Sequence, residues 1–335
     1  MVPAVSVEAY DAARHRVASI DRSSRGRIVV SGPDRASYLQ GLLTNDIAAL
    51  KPGLGCYAAY LTAQGRMIAD LNVYELGDVI LLTMEGDTKD TVLSKLDQLI
   101  FSEDVQLGDV TATFAQTAVI GPDAAATVSA LLTGTTAGIL AALPEHGNLR
   151  ALWDGEPAIV ARIDDAGEAG YDVFVDRAKA AAFVSAIGAA GAVPLDLSTA
   201  EAIRLEAGVP RFHRDMDEET IPLEAGIESR AISFTKGCYV GQEVVIRVLH
   251  RGHGRVVRKL VGLLVDGNQA PAPGAGVRGA DRDIGRVTSS AFSPALQRPI
   301  ALAYVHRDFV ATGTMVTVDG ANAEVTALPF ISRLP

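Results

Sequence analysis

Cys238 is one of only two cysteines in the chain, and it stands in "FTKGCYVGQE" (234–243) with Lys236 two residues before it and Gly237 beside it. A nearby ammonium favours the thiolate, which is the nucleophilic and metal-binding form of cysteine. Gly237 and Gly241 let another backbone come close. The competing reading is a small buried hydrophobe, the usual fate of a free cysteine, and local physics alone leans slightly that way. With Cys56 as its only companion, Cys238 cannot build a disulfide framework, nor hold zinc or an iron–sulfur cluster without outside ligands.

A second candidate is Asp70, in "GRMIADLNVY" (65–74). Strand alternation puts Met67, Ala69, Leu71 and Val73 on one side, and Ile68, Asp70, Asn72 and Tyr74 on the other. On periodicity alone this is the solvated face of an antiparallel sheet. Residues 247–259, "RVLHRGHGRVVRK", include Arg247, Arg251 and Arg255 and no acid. They read equally as an anion patch, suited to a phosphate, a polyglutamate tail or tRNA, and as a hydrated hairpin tip. "GAGVRG" (274–279) matches a dinucleotide fingerprint in letters, but it neither follows a strand nor opens a helix, so a Rossmann site is rejected. His250 and His253 have no carboxylate or thiol cluster near them in sequence, and no metal site is expected.

These groups need elements to position them. The chain has 335 residues, 48% of them hydrophobic, and a formal charge of −10, which predicts two or three well-packed domains and no general nucleic-acid binder. No apolar run is long enough to span a membrane. The first 24 residues are mixed in charge and resemble neither signal nor transit peptide, so a cytoplasmic protein is expected. "VSGPDRASYLQGLL" (30–43) and "VIGPDAAATVSALL" (119–132) repeat a strand, a Gly-Pro-Asp turn and a helix, with Gly32 and Gly121 89 residues apart. Asp34 and Asp123 suit the N-cap, where a side-chain oxygen can accept an orphan N–H. A strand-then-helix stretch follows each copy, at 77–100 and 170–191. The expectation is an α+β protein with two related units, about 26–110 and 111–200, each a sheet with helices on one face. From about residue 244 short β-branched runs, "VVIRVL" among them, predict a C-terminal antiparallel barrel. The boundary is placed at 245/246, giving domains 1–245 and 246–335 with the cysteine loop at the junction. Residues 211–228 read as a long irregular loop.

"KGCYVGQE" resembles the signature of the YgfZ-type family, folate-binding proteins of iron–sulfur cluster assembly and repair that are related to the aminomethyltransferase (T-protein) of the glycine cleavage system. "YLQGLLTNDI", "GRMIADLNVY", "GEAGYDVFV", "IRLEAGVPRF" and "GRVTSSAFSPALQRPIALAYV" fall in the shared order. The resemblance implies a three-part cloverleaf around a central cavity that holds tetrahydrofolate. By the same resemblance Tyr57 matches a folate-contacting tyrosine and Asp70 the catalytic, folate-facing aspartate, which reverses the solvated-face reading. Asp172 falls at a pterin-binding glutamate, Arg204 at a folate-binding arginine and Glu168 at the acid of "GEAGY". The loop Lys236, Gly237, Cys238, Tyr239, Gly241, Gln242 and Glu243 carries the cluster-assembly character. The chain departs from T-proteins at "DRSS" (21–24), where they have "DVSH", and they lack the cysteine motif.

The implied function is a tetrahydrofolate-binding accessory protein for iron–sulfur enzymes or cluster-assembly partners. Cys238 would face the cavity as a redox or transient metal thiol, with Lys236 raising its thiolate fraction. The alternative is a folate-dependent aminomethyltransferase or other one-carbon transferase, with Asp70 essential and Cys238 dispensable. A third reading is a binding module that recruits partners or tRNA through 247–259.

Overall fold

The computed structural model describes residues 5–164, 167–250 and 255–331, with the side chain of His250 outside the description. Helix α1 (Val7–His15), capped by the Ser6 hydroxyl, leads into strand β1 (Ala18–Asp21). The first unit then runs β2 (Gly26–Ser31), α2 (Arg35–Leu42), β3 (Gly55–Leu61), β4 (Met67–Glu75), β5 (Ile80–Met84), α3 (Lys89–Asp97) and β6 (Gln106–Asp109). The second runs β7 (Phe114–Ile120), α4 (Ala124–Leu131), α5 (Ala137–Ala142), β8 (Asn148–Trp153), β9 (Glu156–Ile163), β10 (Gly170–Asp176), α6 (Ala180–Ala189) and β11 (Val193–Pro194). The repeat holds at the level of elements: α2 and α4 occupy positions offset by the same 89 residues as Gly32 and Gly121. Sheet orders correspond too, β3-β4-β5-β2-β6 against β8-β9-β10-β7-β1, with β11 added beyond β1. The fifth place is filled differently: β6 follows its own unit, whereas β1 comes from the start of the chain.

Both repeat glycines are required by the turn. Gly32 has φ +99°, and a Cβ there would lie 2.0 Å from the Asp104 carbonyl oxygen; Gly121 has φ +113°, with the Arg16 carbonyl oxygen 2.6 Å away. Asp34 and Asp123 do stand at the N-caps, but neither side chain makes a cap hydrogen bond. Asp34 instead accepts from the Asp104 N–H at 2.9 Å, tying the turn to the approach to β6.

Each sheet has an apolar face under its helices. In the first, Ile28, Leu71, Val73 and Leu82 pack with Leu39, Leu42, Val92 and Leu96; in the second, Val119, Val160 and Val173 pack with Val128, Phe183 and Ile187. Each such buried side chain contributes roughly 1.5–3 kcal/mol of transfer free energy. The opposite faces look at one another. Tyr74 and Leu81 of the first sheet meet Ala161 and Phe174 of the second. Next to them the Arg27 guanidinium, fully buried, donates to Gln116 Oε1 at 3.2 Å, and Gln116 Nε2 donates to Asp172 at 2.8 Å. Positions 27 and 116 are themselves related by the 89-residue offset, so this bond joins equivalent points of the two units.

Helix α7 (Leu197–Glu206), α8 (Pro222–Ala225), α9 (Glu228–Ala231) and α10 (Gln242–His250) connect the units to the C-terminal part. "VVIRVL" belongs to α10 and is not a strand. Its apolar residues Val244, Val245, Val248 and Leu249 recur at one- and four-residue steps, a helical stripe that β-branching disguised. The barrel itself is closed by β12 (Arg258–Val265), β13 (Gly276–Gly279), β14 (Arg282–Ser293), β15 (Arg298–His306), β16 (Met315–Val318) and β17 (Ala321–Thr326), in the order β12-β15-β14-β13-β16-β17. It joins the rest through Ala202 and Leu205 of α7, packed on Leu260, Ala291, Ile300 and Leu302.

Candidate functional site

Register decides what the first sheet presents to the second. Tyr57 pairs with Asn72, Asn72 with Thr83, and Thr83 with Arg27, so these four share a face. Two residues along each strand, Ala59 pairs with Asp70. Glu85, directly after β5, and Arg25, directly before β2, line the same wall 3.8 Å apart, and both charges act on Asp70. This polar face forms one wall of a cleft of about 220 Å³. The facing walls come from Ile20 of β1, Ile163 at the end of β9, Leu197, Ile203 and Arg204 of α7, and Ile227 and Arg230 around α9. Apolar walls converging on a few polar groups are the usual form of a small-ligand site.

On the polar wall the Tyr57 hydroxyl donates to Asp70 Oδ2 at 2.7 Å. Burial pushes the Asp70 carboxyl above the usual aspartate range, against the opposing pull of the tyrosine hydrogen bond and of Arg25. Burial, followed by the neighbouring Asp70 charge, raises the Tyr57 phenol far enough that it stays a donor. The Arg230 guanidinium lies 5.4 Å from the centre of the Tyr57 ring and pairs with Glu145 at 2.7 Å. Arg25 and Arg211 both approach Glu85, at 3.8 and 2.9 Å.

Of the residues expected here, Tyr57, Asp70 and Arg204 line the cleft. Arg204 is nevertheless saturated: its five N–H bonds go to Glu201 (twice), Val209, Asp215 and Ser289. It braces α7 against the 209–215 loop and the barrel, and offers a ligand its flat face and charge. Asp172 does not line the cleft. It is buried and accepts from Gln116 and Arg22. Glu168 lies elsewhere, on Arg14 at 2.8 Å. Arg14 also holds the fully buried Glu206, which accepts from Tyr10 at 2.6 Å and from Ser293, locking α1 to α7 and the barrel.

The cysteine loop requires a larger correction. None of residues 234–243 lines the cleft. The loop lies behind it, where buried Tyr239 shares an apolar cluster with Tyr57 and Ile227. Cys238 is exposed, so it is no buried filler. Lys236 does not serve it: the ammonium donates to the carbonyls of Gln40, Leu43 and Asn45 at 2.6, 2.7 and 2.8 Å, which uses all three of its N–H bonds. Burial brings its pKa down to about 8. Gly241, at φ +84°, rests on the β3–β4 turn, where a Cβ would lie 2.5 Å from the Thr62 carbonyl oxygen. Gln242 and Glu243 begin α10, and Gly237 has open space around it. Cys56, on the helix-covered side of β3, has its thiol pushed up to about 12 by burial, with no reactive character. Arg247 and Arg255 are exposed, and Arg251 lies outside the described residues. Among the described residues no cluster of His, Cys, Asp and Glu could hold a metal, and no helix is long and apolar enough to cross a membrane.

Sequence reasoning missed Arg25, Glu85, Arg211 and Arg230. Arg25 follows directly on the "DRSS" departure and Arg211 lies in "VPRF", but folding, not spacing along the chain, brings both to Glu85 on the cleft wall.

Residues 2–236 match the GCVT N-terminal domain and residues 258–331 the glycine cleavage T-protein C-terminal barrel domain. The chain is 34% identical over 337 residues to the aminomethyltransferase of Streptomyces coelicolor, covering 97% of this chain and 89% of that one. It is 35% identical over 325 residues to the aminomethyltransferase of Rubrobacter xylanophilus, covering 97% and 86%. The glycine cleavage system aminomethyltransferase T from Bartonella henselae superposes with a TM-score of 0.88 at 23% identity, covering 98% of this chain and 90% of that one, and so has the same fold.

Proposed function

The chain belongs to the glycine cleavage T-protein family, in both its N-terminal and its barrel domain, and on that premise we propose that it binds tetrahydrofolate in the cleft and catalyses one-carbon transfer of the aminomethyltransferase type. The observation that carries this reading is the Asp70–Tyr57 pair, 2.7 Å apart on the polar wall between apolar surfaces. The residues fit such a ligand. Ile20, Ile163 and Ile203 offer flat apolar contact, and a carboxylate can accept from the N–H groups of a reduced pteridine. When bound, tetrahydrofolate would supply the two nitrogens, one in the pterin ring and one on its aryl amine, that take the one-carbon unit. Asp70, desolvated and oriented by Tyr57, accepts a proton or stabilises positive charge as it develops. Arg230 over the tyrosine ring limits the movement of Tyr57.

Two measurements test this together: calorimetry with tetrahydrofolate, and formation of methylene-tetrahydrofolate from an aminomethyl donor. Binding by the wild type and loss of transfer in Asp70→Asn are expected. Absence of binding, or full transfer by Asp70→Asn, would defeat the reading.

A second reading, an accessory role for iron–sulfur enzymes, is favoured by one observation. The loop is anchored at Lys236, Tyr239 and Gly241 while Cys238 is left open to solvent. In cells lacking the protein, Cys238→Ala should then fail to restore a cluster-dependent enzyme. Full restoration by that variant would remove this reading and leave the first untouched.

A further inference from the structure

Asp70 of β4, Glu85 directly after β5 and Arg25 directly before β2 line the same cleft wall, with Arg25 3.8 Å from Glu85. Two carboxylates side by side do not ionise alike when their surroundings differ, and the difference decides which of them handles protons. Their surroundings differ sharply here. Glu85, directly after the central strand β5, is flanked by two guanidiniums, Arg25 at 3.8 Å and Arg211 at 2.9 Å. Asp70 lies deeper, and its recorded side-chain partner is a neutral hydroxyl. We propose that Glu85 is a positioning residue for Asp70: held between Arg25 and Arg211 on the same cleft wall, it leaves Asp70 as the carboxyl that takes up the proton. This rests on the reading that Asp70 handles a proton during transfer.

The other groups around Asp70 do not replace this pair. Tyr57 of β3 is a neutral donor, and Arg230 from α9 sits over its ring and pairs with Glu145. On the facing walls Arg204 is engaged by Glu201 and Asp215, Arg22 reaches Asp172, and Asp21, His146 and Asp164 lie at the cleft lining. Arg25 and Glu85 act on Asp70 in opposite directions, the first favouring the carboxylate and the second opposing it.

The test is a carbon-13 carboxyl titration of the full chain labelled at aspartate, with the Asp70 signal identified by its loss in Asp70→Asn. Glu85→Gln should move the Asp70 midpoint to lower pH and Arg25→Gln to higher pH, each by about half a pH unit or more. Arg25→Lys should return it towards the wild-type value. Arg211→Gln, at the solvent edge, should move it upward by a smaller amount and guards against misfolding of the Arg25 variants. Shifts in the same direction for Glu85→Gln and Arg25→Gln, or none, would overturn the proposal. Tetrahydrofolate calorimetry on the same samples separates the two claims. A wild type that binds no folate defeats the functional reading, whereas opposed shifts still establish the coupling of Glu85 and Arg25 to Asp70.

Discussion

The cleft wall and the cysteine loop carry the two strongest chemical candidates of this chain, and they are built in opposite ways. At the wall the reactive group is sequestered: Asp70 is desolvated and bonded to Tyr57, and the walls around it are supplied by both sheets, α7 and α9. At the loop the reactive group is the exposed one, and its neighbours do structural work. Lys236 closes the carbonyls after α2, Tyr239 is buried and Gly241 seats on the β3–β4 turn. A specific motif can thus owe most of its letters to anchoring, while a less distinctive strand carries the perturbed group.

The largest expected effect separates the two regions by activity. Asp70→Asn should lower one-carbon transfer by about 100-fold or more, the usual scale for a lost acid–base group. Cys238→Ala should leave transfer within about twofold, because surface substitutions away from a site rarely alter it. Equal losses in both variants would merge the regions into one site and break the comparison.

Next in size are the anchors. Lys236→Met leaves three carbonyls without their charged donor and should cost about 2 kcal/mol of stability. Gly241→Ala places a Cβ against the Thr62 carbonyl oxygen at a left-handed backbone and should cost about 1–3 kcal/mol. Cys238→Ser should stay within about 0.5 kcal/mol. Denaturant melts of the three variants rank them; a costly Cys238→Ser would mean that the thiol is structural after all.

Much of this fold was legible because it repeats. Gly32 and Gly121, each demanded by a carbonyl in its path, fix the two turns, and the helices after them keep the same offset. Strand alternation placed Asp70 opposite Met67 and Leu71, but only family resemblance made its face functional. What stayed hidden depends on partners distant in sequence. Glu168 and Glu206 meet Arg14 across more than 150 residues, and Arg204 spends its donors on Asp215 and Ser289. Lys236 stands two residues from Cys238 yet turns to carbonyls nearly 200 residues earlier. Adjacency in sequence suggested a charge effect that folding redirected.

The smallest effect concerns stability at the wall and has a defined sign. The folded-state pKa of Asp70 is raised by burial, so above its unfolded value near 3.9 the folded state binds more proton than the unfolded state. Stability from this group is therefore lost as pH rises from the unfolded value through the folded one. At neutral pH the buried carboxylate is a net cost. Asp70→Asn removes that cost, so its melting temperature should exceed that of the wild type at pH 7, with the difference shrinking as pH falls through the raised folded value towards about 4. The cysteine loop predicts no such exchange, since Cys238 is already in water. Thermal melts of Asp70→Asn and Cys238→Ala at pH 4 and pH 7 check both statements. A wild type more stable than Asp70→Asn at pH 7 would mean that the tyrosine hydrogen bond outweighs burial, and that the carboxylate rests comfortably where it is.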